Sequence, residues 1–409
     1  MGTLRSTVVV VTWRGRAHVA DCLDAVAAQD RPHRILVVDN ASADGTAELL
    51  ARHPSRPEVL RLSRNRGYAG GITAALAQVS TPFVAWLNDD AVPEPGWLAA
   101  LEDALDADSG AWAAASVLRA PDGAVQSVGV RLTADGHGAD LAEVTGGRVR
   151  GAHRCDAARD RSGAARTGTA ETGEKGILEA GTGAGPGETG LAQTGLGASA
   201  SELGETGSGA AFEVFGFCGG AALLRTERVR AVGGVPANFF CYYEDTDTSW
   251  RLRLAGGRVV SVPAARVTHL HGASSRLGSP RFHRWNELNR LRTLLRCAPA
   301  PIATRELLRF AAVTCALPLR SASHRFRCAD LRALPARSRA RRAPPLPRTP
   351  PNFRVALRLR VLAEVAATAP AALRARRAHG SAAARHAVWS RWSGEHPPPG
   401  SGRTDRWSE

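Results

Sequence analysis

The chain opens with a β-branched run, STVVVVTW over residues 6–13. It turns polar through Arg14, Gly15 and Arg16, then takes up a helical apolar spacing from Ala17 to Gln29. A second apolar run, Ile35 to Val38, ends at Asp39, Asn40 and Ser42, and another helical pattern covers Thr46 to His53. Val59 to Leu62 predicts a third strand and Ala69 to Val79 a helix. Phe83 to Leu87 predicts a fourth strand, which runs straight into Asn88-Asp89-Asp90. Strands alternating with helices open a parallel α/β sheet. The polar clusters stand just past the strands' carboxyl ends, where open α/β sheets bind ligands.

Between about 140 and 210 this pattern collapses into Gly, Ala, Thr and Glu. The tripeptide ETG recurs at 171, 188 and 205, but a solenoid needs an apolar face in every repeat, and only Ile177, Leu178, Leu191, Leu196 and Leu203 are at hand. We expect a disordered insertion with no part in the chemistry. Order resumes over Phe212 to Leu224, passes Glu244-Asp245-Thr246-Asp247 into a helix from Thr248 to Ala255, and continues in a strand from Arg258 to Val262, followed by His269. The expected domains are an α/β domain over 1–275 carrying the insertion, a helical extension over 276–334 and a Pro/Arg linker over 335–352. Basic amphipathic helices and a disordered tail fill 353–409, with the helices placed at Phe353 to Ala367 and Ala371 to Trp392.

Composition narrows the classes. With 409 residues, 44% hydrophobic and 22% charged, the chain can bury a large core. Its best apolar stretch outside the strands, Phe310 to Leu319, is too short to span a bilayer. The opening apolar run alternates into a strand pattern and lacks a cleavage site, so we read no signal peptide and expect a cytoplasmic protein. Seven scattered cysteines without a C-x-x-C pair argue against a disulfide framework and a structural zinc site. Net charge is +15, but almost every basic residue is arginine, a skew that a GC-rich genome produces. Its distribution says more: from Arg276 onward 27 arginines face seven acids, a net of +20, so residues 1–275 carry −5.

Several clusters could carry chemistry. Asn88-Asp89-Asp90 offers hard carboxylate oxygens at the sheet rim, suited to Mg2+ or Mn2+ held against a diphosphate, or simply a solvated turn. Asp39 could accept from a nucleobase N–H or cap a helix. Arg64-Asn65-Arg66-Gly67-Tyr68-Ala69-Gly70-Gly71 brings cations and glycines to the start of a helix, suited to a nucleotide phosphate. Glu244, Asp245 and Asp247 exceed what one helix cap needs, and one of them could be a general base. His269 could be a ligand, a phosphate donor or a surface residue, and for His271 we prefer the last.

Taken together, VVVVTWRGRAHVADCLDAVAAQD, ILVVDNASADGT, NRGYAGG, LNDD, FCGGAALLR, YEDTDTSWRLRLAG and the histidine before GASS resemble the family 2 inverting glycosyltransferases of the GT-A fold, particularly the rhamnosyltransferase-like group. The resemblance covers roughly 1–140 and 210–295. It implies a Rossmann-like, mostly parallel sheet with flanking helices, to which the C-terminal basic helices are added. It also implies a dTDP-, UDP- or GDP-sugar donor bound near Thr12, Trp13, Asp39, Arg64, Asn65, Gly71 and Asp89. Asp90, with His269, would meet a divalent metal, Mn2+ or Mg2+. Asp245 would deprotonate the acceptor, with Glu244 and Asp247 beside it. Rhamnose is the first choice of sugar, and a cell-envelope glycan or lipid-linked glycan the acceptor.

The basic helices, such as NFRVALRLRVLAEVAA and HAVWSRW, suit an anionic membrane surface at the inner face of the cell membrane. The competing reading is an appendage packed on the catalytic domain. No nucleic-acid motif accompanies the charge, so we expect no nucleic-acid partner. The alternative function is a catalytically inactive module of the same fold, recruited through its basic tail.

Overall fold

A computed structural model describes residues 4–145, 148–150, 209–270, 278–332 and 354–394. Strands β1 (Ser6–Thr12), β2 (His33–Asp39), β3 (Glu58–Arg61) and β4 (Phe83–Asn88) lie in the order β4-β1-β2-β3, all parallel. All seven residues of β1 are buried, which is why valine occupies both of its faces. Val8 and Val10 pack with α1 (Val19–Ala27) and α4 (Trp97–Ala107), whereas Val9 and Val11 pack with α3 (Gly67–Leu76) on the opposite side. Helix α2 (Thr46–Arg52) contributes Leu50 to the α1 side.

The other half of the sheet is mixed in direction. The remaining strands are β5 (Ala91–Pro93), β6 (Ala111–Arg119), β7 (Val125–Ser127), the hairpins β8 (Val130–Leu132) with β9 (Gly138–Asp140) and β10 (Glu143–Thr145) with β11 (Arg148–Arg150), then β12 (Phe212–Glu213), β13 (Ala221–Arg225) and β14 (Arg258–His269). β13 runs antiparallel between β4 and β6, while β14 is parallel to β6 and antiparallel to β5 and β12. Apolar alternation reveals a strand but not its direction, so only the β4-β1-β2-β3 half was legible as parallel. β14 also runs seven residues beyond the expected end at Val262. An irregularity between Val262 and Arg266, next to Pro263, lets pairing with β6 resume and carries His269 to the sheet rim.

A third core belongs to the helices. After α5 (Thr226–Ala231) and α6 (Glu244–Leu254) come α7 (Pro280–Cys297), α8 (Ala300–Arg332), α9 (Val355–Ala378) and α10 (Ala382–Trp392). Leu291 and Leu294 of α7, Phe310 of α8, and Val361 and Val365 of α9 enclose Trp250 and Phe215. Trp389 stacks on Trp250 at 5.9 Å, the Arg253 guanidinium lies 4.0 Å from the Trp392 ring centre, and Arg284 donates to both oxygens of Glu364. These contacts turn the apolar side of the basic helices toward the α/β domain. The expected break between Ala367 and Ala371 is absent: α9 continues through Pro370 and ends at His379, before Gly380 with φ 71°. Hydrogen bonds from Arg292 to Thr368 and from Arg376 to the Leu295 and Ala298 carbonyls hold α9 along α7 on both sides of the proline.

The expected insertion falls outside the described residues from 151 to 208, as does the linker from 335 to 352. Among the described residues, no helix is long and apolar enough to cross a membrane.

Candidate functional site

Three strand ends build the first half of the site. At the end of β1, Thr12 Oγ1 donates to Asp89 Oδ2 at 2.6 Å. A Cβ on Gly15 would lie 2.2 Å from that hydroxyl and 2.5 Å from the carboxylate, so only glycine lets the loop pass here. His18 Nε2 stands 3.3 Å from Asp89 Oδ2, and this contact raises the imidazole above its ordinary value despite partial burial. At the end of β2, fully buried Asp39 accepts from the Ser42 amide at 2.9 Å through Oδ1. Its Oδ2 has no hydrogen-bond donor and lies 3.6 Å from Arg61 Nε. Such an oxygen is suited to a nucleobase N–H.

Asn40 organises the next loop by accepting from the Arg66 amide at 2.8 Å and donating to the Gly67 carbonyl at 2.9 Å. Asn65 accepts from the Gly67 amide at 2.8 Å, and Arg64 is exposed. Trp13 is 36% exposed, with the Arg14 guanidinium 5.0 Å from its ring centre. Gly71 departs from the expected donor contact: a Cβ there would sit 2.5 Å from Val11 Cγ1, so helix–strand packing requires this glycine.

Asp90 and His269 meet beside this loop cluster, Oδ1 to Nε2 at 3.3 Å, and both are almost fully buried. Gln126 grips the histidine twice. Its amide nitrogen donates to the His269 carbonyl at 2.8 Å, and its oxygen lies 2.9 Å from Nδ1, which calls for a proton on Nδ1 and turns Nε2 toward Asp90. Asn88 Nδ2 lies 3.1 Å from the same Nε2. Burial opposes ionisation of Asp90, yet the contact with His269 and the charge of His18 outweigh it and hold the carboxyl below its ordinary value. Among the described residues no three His, Cys, Asp or Glu side chains form a complete metal cage. One carboxylate and one imidazole suit a Mn2+ or Mg2+ ion that takes its remaining ligands from diphosphate and water.

Gly219 and Gly220 join this half to the second. The Gly219 amide donates to Asp245 Oδ2 at 2.9 Å, while the neighbouring Gly220 accepts from the Asn88 amide at 3.0 Å and passes close to His269. Two adjacent residues therefore touch the Asp245 carboxylate on one side and the Asp90–His269 region on the other. Tyr68 donates to the Gly219 carbonyl at 2.7 Å and fixes the turn from α3.

The acids of α6 have separate fates. Asp245 alone among them keeps partial exposure; burial raises its carboxyl, against hydrogen bonds from the Gly219 and Thr246 amides. Glu244 is buried, its Oε2 has no hydrogen-bond partner, and burial together with the Asp245 charge pushes it up to about 8. Asp247 does not join them. It is fully buried between Arg251, at 2.6 Å, and Arg296 of α7, at 2.8 Å. The helical turn carries residue 247 away from residue 245, so this third acid braces α6 against α7.

The segment before α6 is strained. Phe240, Tyr242 and Tyr243 all have positive φ, at 66°, 70° and 70°, and Phe240 with ψ −64° is the centre of a γ-turn closed by the Cys241 amide on the Phe239 carbonyl at 2.8 Å. Each such residue costs on the order of 1–3 kcal/mol. Gly67 accommodates the turn, since a Cβ there would strike the Phe240 carbonyl.

Sequence reading missed His18, Gln126, Asn40 and Tyr68 as members of the site. Asn40, beside Asp39 at a strand end, and Tyr68, inside the glycine-rich 64–71 stretch, each had a local signal, whereas His18 and Gln126 earn their places through contacts distant in sequence.

Residues 7–162 match the sequence profile described as Glycosyl transferase family 2. Over 288 residues the chain is 27% identical to the N-acetylglucosaminyl-diphospho-decaprenol L-rhamnosyltransferase of Mycobacterium tuberculosis (strain CDC 1551 / Oshkosh), covering 68% of this chain and 79% of that protein. Over 89 residues it is 37% identical to the galactofuranosyltransferase GlfT1 of Mycolicibacterium smegmatis, covering 21% of this chain and 30% of the relative. Among solved structures, GalNAc-T7 with UDP, GalNAc and Mn2+ superposes with a TM-score of 0.46 at 12% identity over 73% of this chain, which spans about half of that one (49%).

Proposed function

We propose, from the match of residues 7–162 to the Glycosyl transferase family 2 profile, that the chain transfers a sugar, with inversion, from a nucleotide-sugar donor to a cell-envelope glycan or lipid-linked glycan. The observation that carries this reading is the Gly219-Gly220 turn, which touches Asp245 on one face and the Asp90–His269 region on the other. A single displacement needs a proton acceptor on one side of the anomeric carbon and charge neutralisation on the other.

In this proposal the free Asp39 Oδ2 accepts from the base and Trp13 offers it a flat face. Asn65 and Arg64 lie toward the ribose and phosphates. Asp90 and His269 hold the divalent ion, which when bound neutralises charge on the departing diphosphate. His18, beside Asp89, adds a cation at the same place. The acceptor hydroxyl oxygen attacks the anomeric carbon, its proton passes to Asp245, and the bond to the diphosphate oxygen breaks with its electron pair leaving on the nucleotide. Glu244, kept protonated by burial, limits the negative charge beside Asp245.

L-Rhamnose is the first sugar to try and an N-acetylglucosaminyl diphospho-lipid the first acceptor, both suggested by the name of the mycobacterial relative, with dTDP as the first nucleotide carrier to test. Leu359 and Leu373 of α9 are exposed, and in this proposal they are the side chains that would meet a lipid surface. The test is thermal stabilisation by UDP, GDP and dTDP, each with and without Mn2+, followed by NMR assignment of the product anomer. Metal-dependent stabilisation by one nucleotide and an inverted product are expected. Retention of configuration, or stabilisation by none of the three, overturns the proposal.

A further inference from the structure

Helix α7 lies beyond the residues that match the family profile, and it presents Asn289, Arg292 and Arg296 on one face, spaced by three and four. Asn289 and Arg292 hold the segment that leads to Asp245, and Arg296 holds the helix that follows it. Asn289 is completely buried, and its amide nitrogen lies at donor distance from three carbonyls of the strained segment: Phe239 at 2.8 Å, Cys241 at 3.0 Å and Tyr242 at 2.9 Å. Arg292 donates to the Asn238 carbonyl at 3.1 Å and to Asn289 Oδ1 at 3.3 Å, which orients the amide. Arg296 pairs with Asp247, one helical step beyond the acids.

A run with three left-handed, bulky residues in four positions persists only where its surroundings over-determine it. Here one side chain gathers the run's carbonyls from above, while the Ala69 amide takes the Phe240 carbonyl at 3.1 Å from α3. The last residue of the run, Tyr243, is the cap of α6, and Glu244 and Asp245 are that helix's first two residues. Any relaxation of the run therefore rotates or translates the base.

We propose that Asn289 is a positioning residue for catalysis: from α7 it locks the 239–243 segment in its strained form and thereby sets Asp245 against the acceptor hydroxyl. This rests on the transferase reading above and extends the catalytic apparatus into the helical extension. The proposed donor pocket is built on β1, β2 and the 64–67 loop; among the described residues Asn289 itself makes no hydrogen bond there, and the segment it holds meets that loop at Gly67, so turnover should respond more strongly than donor affinity.

The test compares full-length wild type, Asn289→Ala, and Val365→Ala as a destabilised control in the helical core remote from this segment. Turnover uses dTDP-L-rhamnose and an N-acetylglucosaminyl diphospho-lipid, and binding uses dTDP with Mn2+. Asn289→Ala should lower kcat about 30-fold or more, with donor KM and dTDP affinity within about twofold of wild type, while Val365→Ala lowers the melting temperature and keeps its kcat. If Asn289→Ala does not fold, Arg292→Met, which removes the orienting contact together with those to Asn238 and Thr368 while leaving the Asn289 amide in place, should show the same split with a fall of about threefold to tenfold. A kcat within twofold of wild type, or equal losses of kcat and dTDP affinity, overturns the inference. Asp245→Asn, run alongside, separates the two ideas: if it is inactive while Asn289→Ala is fully active, only the positioning role fails, and if it is fully active the assignment of the base fails first.

Discussion

Two carboxylate pairs face each other across Gly219-Gly220, and their surroundings drive them in opposite directions. Asp89 and Asp90 follow a regular parallel strand and are met by Thr12, His18 and His269, contacts that keep Asp90 titrating below its ordinary value. Glu244 and Asp245 follow a strained segment, meet no cation in their immediate contacts among the described residues, and titrate above their ordinary values because burial outweighs the few amides that reach Asp245. Identical functional groups thus become a site that keeps its negative charge and a site ready to take a proton. Separating proton affinities in this way is how one fold assigns roles to acids of the same kind.

The sharpest way to break this contrast is to neutralise one side at a time. Asp245→Asn should lower transfer by about 10²–10⁴-fold while Mn2+-dependent nucleotide stabilisation persists, whereas Asp90→Asn should lose that metal dependence as well. Thermal shift and product formation measured on both variants check it. Equal effects on nucleotide binding would mean that the two sides are not separate.

The next effect is structural. Asp247 looks like its neighbours in sequence but sits in a buried ion pair, and Asp247→Asn should cost on the order of 3–5 kcal/mol by leaving Arg251 and Arg296 without their anion. Urea unfolding measures this. A midpoint matching wild type would refute the bracing role.

The smallest effect concerns Glu244. In the folded chain it holds its proton up to about pH 8, whereas unfolded it ionises near the ordinary 4.5. The unfolded state therefore binds fewer protons across that interval, and stability falls as pH rises from about 4.5 to about 8. Glu244→Gln removes this loss, so the variant should gain on wild type with rising pH, by on the order of a few kcal/mol at most. Unfolding midpoints at pH 5 and 8.5 decide; parallel profiles would show that Glu244 is ionised in the native state.

How much of this was legible in advance differs between the halves. The strands β1 to β4 and the polar clusters at their ends were readable because apolar runs and turn residues are local signals, and Thr12, Asp39, Asn65, Asp89 and Asp90 fall where those signals put them. Gly71 has a packing reason, the close approach to Val11, that the sequence did not show beside the expected donor contact. Asp247 was misread because an acid in a helix's first turn carries no mark of which neighbour it will face.

The sequence alone determined the alternation of strand and helix, the motif set that resembles family 2 glycosyltransferases, and the positions of the acids along the chain. Tertiary structure alone decided the antiparallel placement of β13, the delivery of His269 past Pro263, the tautomer imposed by Gln126 and the grip of Asn289 on the segment before Asp245. The reason is distance along the chain: each of these depends on groups dozens to more than a hundred residues apart, whose meeting is set by packing of the whole sheet and its helices rather than by any local pattern.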